Sequence, residues 1–122
     1  MILVYLQSFF TKTSGDTFKR GEFYFKCNGK RYPDKGEVHL KGGEMFNPNP
    51  PPTFYTAIVD DSQKVVNFDF EVWEADPGMD DKFIDHQMKI NVAPLNETYE
   101  ISDKKQRCSL KIVVQVFQTN KW

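Results

Sequence analysis

Apolar and polar residues alternate with a period of two along much of the chain. In residues 66–72 apolar side chains alternate with Asn, Asp and Glu, and the same alternation recurs at 88–92 and 110–116. Because successive side chains of a strand point to opposite faces of a sheet, this pattern predicts strands with one buried face and one solvated face.

The other strand candidates are less regular. Residues Ile2–Phe9 are apolar on both faces, which indicates an interior strand, and Glu22–Cys27 form a short aromatic segment. The pair Asn28-Gly29, followed by Lys-Arg-Tyr, is typical of a hairpin. Weaker candidates lie at residues 37–41 and 53–59.

Turn-forming residues recur between these candidates, and no segment shows sustained helical periodicity. About eight short strands joined by frequent turns indicate an antiparallel β-sandwich. The proline-rich segment Asn47–Pro52 is too short to link two domains, so residues 1–122 are predicted to form a single all-β domain, an eight-stranded antiparallel sandwich.

Composition narrows the classes of function. The chain has 122 residues, 18 of them aromatic, and is expected to fold. Its formal net charge of −1 provides no overall positive field that would favour nucleic-acid binding. No apolar run approaches the roughly 20 residues of a membrane-spanning helix. The apolar opening lacks a basic leader and a cleavage site, so it is interpreted as a first strand of a cytoplasmic protein.

Two cysteines, Cys27 and Cys108, lack metal-ligand spacing. One disulfide is compatible with an extracellular chain, but two buried thiols are the preferred interpretation. The histidines, His39 and His86, lie in no catalytic motif, and no nucleophile motif or phosphate-binding loop is present. The protein is therefore expected not to be an enzyme.

The segment 72–85, VWEADPGMDDKFID, contains five carboxylates and a single lysine. Two carboxylates about 4 Å apart repel by about 4 kcal/mol at an effective dielectric constant near 20. The segment is thus either a solvated acidic loop or a loop whose side chains converge on a cation. Calcium takes six to eight oxygen ligands, but the D-x-x-x-D-D spacing does not match an EF-hand.

A second acidic element precedes an aromatic strand: Asp16 and Glu22 stand six residues apart. Together the two acidic segments resemble C2 domains, in which the first loop carries two aspartates six apart and the third loop reads apolar–aromatic–Asp–x–Asp before a further Asp. The segments "VWEAD" and "DDKFID" follow the third-loop pattern. The similarity covers nearly the whole chain, and "HQMKINV" and "SLKIVVQVF" stand where the last two strands would be.

This resemblance implies an eight-stranded C2-like sandwich that binds calcium through loops at one end. The implied ligands are the carboxylates of the two loops, with Asp80 as an alternate to Asp81: Asp16, Glu22, Glu74, Asp76 and Asp81. Glu22 and Glu74 replace aspartates of the family, and the spacing before the last aspartate is one residue short. Weak affinity is therefore expected, about 10⁻⁵ to 10⁻³ M.

The resemblance also implies an anionic phospholipid surface as partner. Phe18 and Met79 are predicted at the tips of the two loops, as insertion residues, and the basic residues of the following strand region are predicted to contact headgroups: Lys30, Arg31, Lys35 and Lys41. A cytoplasmic protein peripheral at membranes is expected. The alternatives are a solvated basic face, and a calcium-independent module that binds a protein by an exposed strand edge. A sugar-binding sandwich, using Trp73 and Tyr55, is a distant third.

Overall fold

The structure is a computed structural model that describes residues 1–13, 21–60 and 62–117. The strands in this part of the chain are β1 Ile2–Thr11, β2 Gly21–Cys27, β3 Lys30–Tyr32, β4 Val38–Leu40, β5 Met45–Phe46, β6 Thr53–Ala57, β7 Val65–Glu74, β8 Asp81–Asn91, β9 Leu95–Ser102 and β10 Cys108–Val116.

The strands form two antiparallel sheets that pack as a sandwich. In sheet A, β5 and β6 both pair with β1, followed by β10 and β9. In sheet B, β3 and β4 both pair with β2, followed by β7 and β8. The predicted all-β antiparallel sandwich is thus confirmed.

Ten segments occupy eight strand positions, because one edge strand of each sheet is interrupted. The first interruption, at 33–37, contains Pro33, and the second, at 47–52, contains four prolines. Proline has no amide hydrogen and cannot donate to a strand ladder, so each edge strand breaks there and resumes after it.

Phenylalanine dominates the core between the sheets. The alternating apolar residues of β10 are buried as predicted, as are Phe68, Phe70 and Val72 of β7, whereas Val66 is half-buried. Strand β1 lies inside sheet A. Phe9 of β1 contacts Phe23 and Phe25 of β2, with ring centroids 5.1 and 5.0 Å apart. Burying each such side chain stabilises the fold by roughly 1.5–3 kcal/mol, so these contacts hold the sheets face to face.

One end of the sandwich, named here the acidic end, carries the β7–β8 turn at 75–80 and the start of β2. The Ala75 amide donates to the Glu22 carbonyl over 2.7 Å, which holds the turn against β2. Thr11, where β1 ends, accepts a hydrogen bond from the Gly43 amide at the same end. The paired backbones of Met1 and Phe117 lie at the opposite end.

The two cysteines lie in different sheets, Cys27 in β2 and Cys108 in β10, and both are buried free thiols. Burial raises the pKa of each to about 12, and a nearby carboxylate, Asp69 or Asp103, adds to the effect. The predicted pair of buried thiols is confirmed.

Candidate functional site

The acidic segment is shorter as a loop than its sequence indicates. Strand β7 continues to Glu74 and β8 begins at Asp81, so only residues 75–80 form the turn. Asp85 lies well inside β8, opposite Glu71. The segment 72–85 is therefore mostly a hairpin, and its carboxylates are distributed along two strands as well as the turn.

Asp80 is bonded within the chain through both carboxylate oxygens. The Tyr24 hydroxyl donates to Oδ2 over 2.5 Å, and the Asp76 amide donates to Oδ1 over 3.1 Å. The Tyr24 hydrogen bond, and then that of Asp76, lowers the pKa of Asp80. Burial, together with the same hydrogen bond, raises the pKa of Tyr24 to about 12. This pair fixes the turn against β2.

The described members of the predicted calcium-ligand set lie at the acidic end, but no three of them bring carboxylate oxygens within 4.8 Å of one another: Glu22, Glu74, Asp76, Asp80 and Asp81. Glu22 lies with an oxygen 3.9 Å from Nδ1 of His39. Asp16, the remaining predicted ligand, and Phe18, a predicted insertion residue, lie outside the described residues. The other insertion residue, Met79, is 82% exposed in the turn.

A second acidic group lies on the outer face of sheet B. Within residues 1–13, 21–60 and 62–117, the carboxylates that bring oxygens within 4.8 Å of one another in a group of three are Asp69, Glu71 and Asp85, named here the acidic trio. Asp69 and Glu71 alternate along β7, which places both side chains on the same face, and Asp85 stands beside them in β8.

Lysine already occupies part of the acidic trio. Lys82 places its Nζ 3.3 Å from Asp85 and 3.9 Å from Glu71, and the Trp73 indole also donates to Glu71 over 2.7 Å. The Oδ1 atom of Asp69 is buried without a hydrogen-bond partner among the described residues. Burial, then the charges of Asp85 and Glu71, raises the pKa of Asp69, so its ionisation is disfavoured.

The trio borders a shallow depression of about 700 Å³. Its walls are Asn28, Asn67, Phe68, Gln87, Met88 and Lys89, with Asp69 at the edge of the trio. The Asn28 side chain accepts a hydrogen bond from the Asp69 amide over 2.7 Å, which ties the β2–β3 hairpin to β7. These walls hold amides and one cation, without a nucleophile placed beside a general base.

Cations and aromatic rings cover the rest of this face. The Tyr24 and Trp73 rings are parallel, with centroids 6.2 Å apart, and the Arg31 guanidinium lies 4.2 Å from the Tyr24 centroid. Lys82 and Lys26 lie 5.0 and 5.6 Å from the Trp73 centroid. Such contacts contribute about 0.5–2 kcal/mol each and leave the Trp73 ring covered, unlike an open platform for a sugar.

The four predicted headgroup-binding residues follow one edge of sheet B. Lys30 stands opposite Cys27, while Lys41 follows Leu40, which pairs with Gly21 at the other end of β2. Gly21 and Cys27 are six residue steps apart along β2, at about 3.3 Å per step, so Lys30 and Lys41 are roughly 20 Å apart. Arg31 bonds to Glu37 over 3.1 Å, and Lys35 is exposed in the interruption between β3 and β4. The basic residues form an edge rather than one cluster.

Comparison with known proteins adds a distant structural similarity. No family model matches the chain, and no curated protein matches it. A solved structure of Drosophila C2-DSL-EGF1 aligns with 99% of this chain and 69% of that one, at 13% identity and a TM-score of 0.49. A similarity at this distance transfers no ligand or partner to this chain.

The acidic trio was not predicted as a group, although its signal is present: Asp69 and Glu71 are the solvated positions of an alternating strand, and Asp85 lies in the acidic segment. Only the hairpin register brings the three together.

The described residues include no helix of the length and apolar character needed to cross a membrane.

Proposed function

We propose that this protein is a non-catalytic binding module that attaches to anionic phospholipid surfaces by its acidic end, with calcium as the bridging ion. One observation carries the proposal: the strand pairing sets the β7–β8 turn, with Asp76 and Asp80, beside the start of β2, where Glu22 lies. Glu22 and Asp76 thus bring carboxylates from two separate segments of the chain to one end, where Asp76 is exposed.

The position of Met79 explains why a cation is needed. Its side chain is 82% exposed, with Asp76, Asp80 and Asp81 close by in sequence. Carboxylates repel an anionic surface, so the methionine approaches lipid only when a cation neutralises them. Calcium does this and accepts a lipid phosphate oxygen as a further ligand. Inserting the side chain then gains roughly 1.5–3 kcal/mol if it becomes fully buried.

The hydrogen bonds of Asp80 favour Asp81 as the ligand of this pair. Both oxygens of Asp80 accept hydrogen bonds from within the chain, from Tyr24 and from the Asp76 amide. Asp81 is exposed at the first position of β8. Asp80 then acts as the support that holds the turn, and the proposed ligand set is Asp16, Glu22, Glu74, Asp76 and Asp81.

The test combines calcium titration of the chelator-stripped protein with sedimentation of phosphatidylserine-containing vesicles. We expect a dissociation constant of about 10⁻⁵ to 10⁻³ M and vesicle binding that a chelator abolishes. Asp76→Asn should weaken calcium binding by about tenfold, since a charged ligand is lost. Met79→Ala should weaken vesicle binding at unchanged calcium affinity.

The matched control is Glu97→Gln, which removes an exposed carboxylate on β9 of sheet A and should leave both measurements unchanged. If wild-type protein gives no heat and no shift in melting temperature at about 5 mM calcium, well above the expected range, the calcium proposal is wrong. Vesicle binding that persists in chelator would contradict the bridging role of the ion.

A second candidate is a calcium-independent module that binds a protein. The observation in its favour is that both carboxylate oxygens of Asp80 accept hydrogen bonds from within the chain, from the Tyr24 hydroxyl and from the Asp76 amide. The same titration separates the candidates, because a silent calcium titration together with retained partner binding supports only the second.

A further inference from the structure

The outer edge of sheet A is a regular, open strand. Strand β9 pairs with β10 over eight consecutive residues without a register shift, and its other side has no strand neighbour in the described part of the chain. In the described part of the chain the other edges are protected: two are interrupted at prolines, and β8 carries Lys82 beside a register shift and Lys89 towards its other end. Short strands, lysines, other charges and bulges are devices that prevent pairing with another chain; β9 is long and regular and has no lysine, and its charged residues are Glu97 and Glu100.

The backbone of β9 presents hydrogen-bonding groups to solvent at every second residue. Met1 and Phe117 exchange two backbone hydrogen bonds, of 3.0 and 2.8 Å, so Phe117 faces β1. The backbone amide and carbonyl groups of successive β10 residues point alternately towards β1 and β9. Those of Val116, Val114 and Ile112 therefore point towards β9. Their partners are Leu95, Glu97 and Tyr99, which leaves outward-facing amides and carbonyls at the intervening positions: Asn96, Thr98, Glu100 and Ser102.

The charge of β9 selects the kind of partner. Its eight residues, LNETYEIS, include Glu97 and Glu100 and no cation. In an antiparallel pair with a second copy, side chains on the same face must oppose each other. If the two-fold axis of such a dimer passes through any residue from 97 to 100, either Glu97 or Glu100 lies directly or diagonally opposite the same glutamate of the second copy. Like charges in these positions are destabilising, whereas a basic strand is attracted.

A depression of about 270 Å³ lies beside this edge on the outer face of sheet A. Glu100 and Ser102 line it from β9, Phe10 contributes apolar surface, and Lys12 lies two strands further in, on the β1 side. A long basic side chain entering from the edge would meet Glu100 on β9 before it reached Phe10 or Lys12, both of which lie two strands further in. Lys111 stands opposite Glu100 on β10, so the carboxylate would lie between two cations.

We propose that β9 takes up an extended, basic segment of a partner protein as an additional strand of sheet A, with a lysine or arginine at the Glu100 position. Main-chain hydrogen bonds to Thr98 and Glu100 supply affinity, and the depression supplies preference for the side chain. This interaction requires neither calcium nor lipid, and so it goes beyond the proposed membrane function.

The probe is a synthetic peptide with blocked ends, TVKVTVKVT, compared with the same peptide carrying glutamate in place of lysine. We expect the basic peptide to bind about tenfold more tightly than the acidic one at low salt. Amide hydrogen exchange should slow at Asn96, Thr98, Glu100 and Ser102 when the basic peptide is added, while the already bonded amides of Glu97 and Tyr99 change little.

Thr98→Pro removes an outward-facing amide without touching the β9–β10 ladder and should abolish peptide binding; proline is tolerated at such edge positions. Thr98→Val keeps the amide and is the matched control. Glu100→Gln, which carries little risk to folding, should reduce the preference for the basic peptide by roughly threefold.

Three outcomes would overturn the proposal: equal binding of the two peptides, no binding of either, or unchanged binding by a folded Thr98→Pro variant. Analytical ultracentrifugation of the protein alone tests whether a second copy occupies the edge instead. A dimer that is lost in Thr98→Pro would assign the edge to a second copy.

Discussion

At the scale of single residues, the bond between Tyr24 and Asp80 organises the acidic end. The tyrosine lies on the outer face of β2, where the Arg31 guanidinium and the β7–β8 turn cover it, and its hydroxyl donates to a carboxylate 56 residues later in the chain. A charge-assisted hydrogen bond of this kind is stronger than one between neutral groups, so the aspartate is held in its ionised form.

Tyr24→Phe should raise the pKa of Asp80 towards its ordinary value, because the hydroxyl is the main cause of its depression. A carboxylate whose pKa is lowered by folding stabilises the fold above its unfolded pKa, and this contribution is lost as the pH falls through the folded pKa. The stability difference between Tyr24→Phe and wild type should therefore be present at neutral pH and shrink in acid. Carbon-detected NMR titration of Asp80 checks the shift.

An unchanged Asp80 titration in Tyr24→Phe would assign the pKa depression to the Asp76 amide instead. Tyr5→Phe is the control, since Tyr5 lies on sheet A, away from the turn.

The sequence predicts which carboxylates lie near the acidic end, but not what each one contacts. Asp76, Asp80 and Asp81 lie in or beside the β7–β8 turn because they flank Pro77-Gly78, a strong turn signal. The partner of Asp80 depends on the β2–β7 register, in which Tyr24 faces Trp73. The acidic trio depends in the same way on the β7–β8 register. Such cross-strand neighbours follow from tertiary pairing, which local patterns do not encode.

At the scale of elements, the β9–β10 turn is held by a buried aspartate. The Asp103 carboxylate is 4% exposed and accepts hydrogen bonds from the Arg107 amide, the Arg107 Nε and the Cys108 amide, of 2.5, 2.7 and 3.1 Å. The Arg107 guanidinium also lies 3.9 Å from the Phe83 centroid on β8. One turn of sheet A is thereby joined to sheet B.

Asp103→Ala should destabilise the protein by about 2–4 kcal/mol, because it leaves buried amides without an acceptor and Arg107 without its partner. Burial by itself would raise the pKa of Asp103, but the hydrogen bonds of Arg107 and Cys108 outweigh it and lower the pKa. Its contribution is therefore complete above the unfolded pKa and is lost as the pH falls through the folded pKa. Urea unfolding at neutral and acidic pH measures both effects.

Arg107→Lys is the companion variant, because it keeps a charge but loses the Nε bond and the flat contact with Phe83. It should cost less than Asp103→Ala. A loss below about 1 kcal/mol in Asp103→Ala, typical of exposed ion pairs, would show that the turn is not held by this aspartate.

The strands that the sequence predicts well are those with one fully buried face. Residues 66–72 and 110–116 alternate cleanly because β7 and β10 are interior strands. Strand β9 is not predicted, since Glu97 stands at an inward position and the strand is exposed on its open side. Edge strands bury less, so their residues follow the period of two less strictly. The two proline interruptions similarly turn two edge positions into four short segments.

At the scale of the whole molecule, the core between the two sheets encloses both thiols. Cys27 and Cys108 are 0% and 4% exposed, and each approaches from its own sheet. Thiolate formation is disfavoured for both, since burial raises the pKa of each thiol to about 12. Because both thiols are buried between the sheets, the rate at which they react with a reagent in solution reports how often the two sheets separate.

At pH 8, both thiols should react with a chromogenic disulfide reagent at least about 100-fold more slowly in the folded protein than in urea, because access requires opening of the core. The single variants Cys27→Ser and Cys108→Ser assign the two rates. Rapid reaction of one thiol in the folded protein, with the other protected, would show that the two sheets open separately.

The position of Lys82 has a consequence for any cation that approaches the outer face of sheet B. Its ammonium belongs to the same hairpin as Asp85 and Glu71. It therefore competes with dissolved cations for these carboxylates at an effective concentration in the millimolar range or above, as is typical of short tethers. A free monovalent ion in solution competes poorly against such an occupant. Acetylation of Lys82 would remove one resident charge and strengthen the repulsion among the three carboxylates, leaving Lys26, opposite Glu71, as the cation on the neighbouring strand.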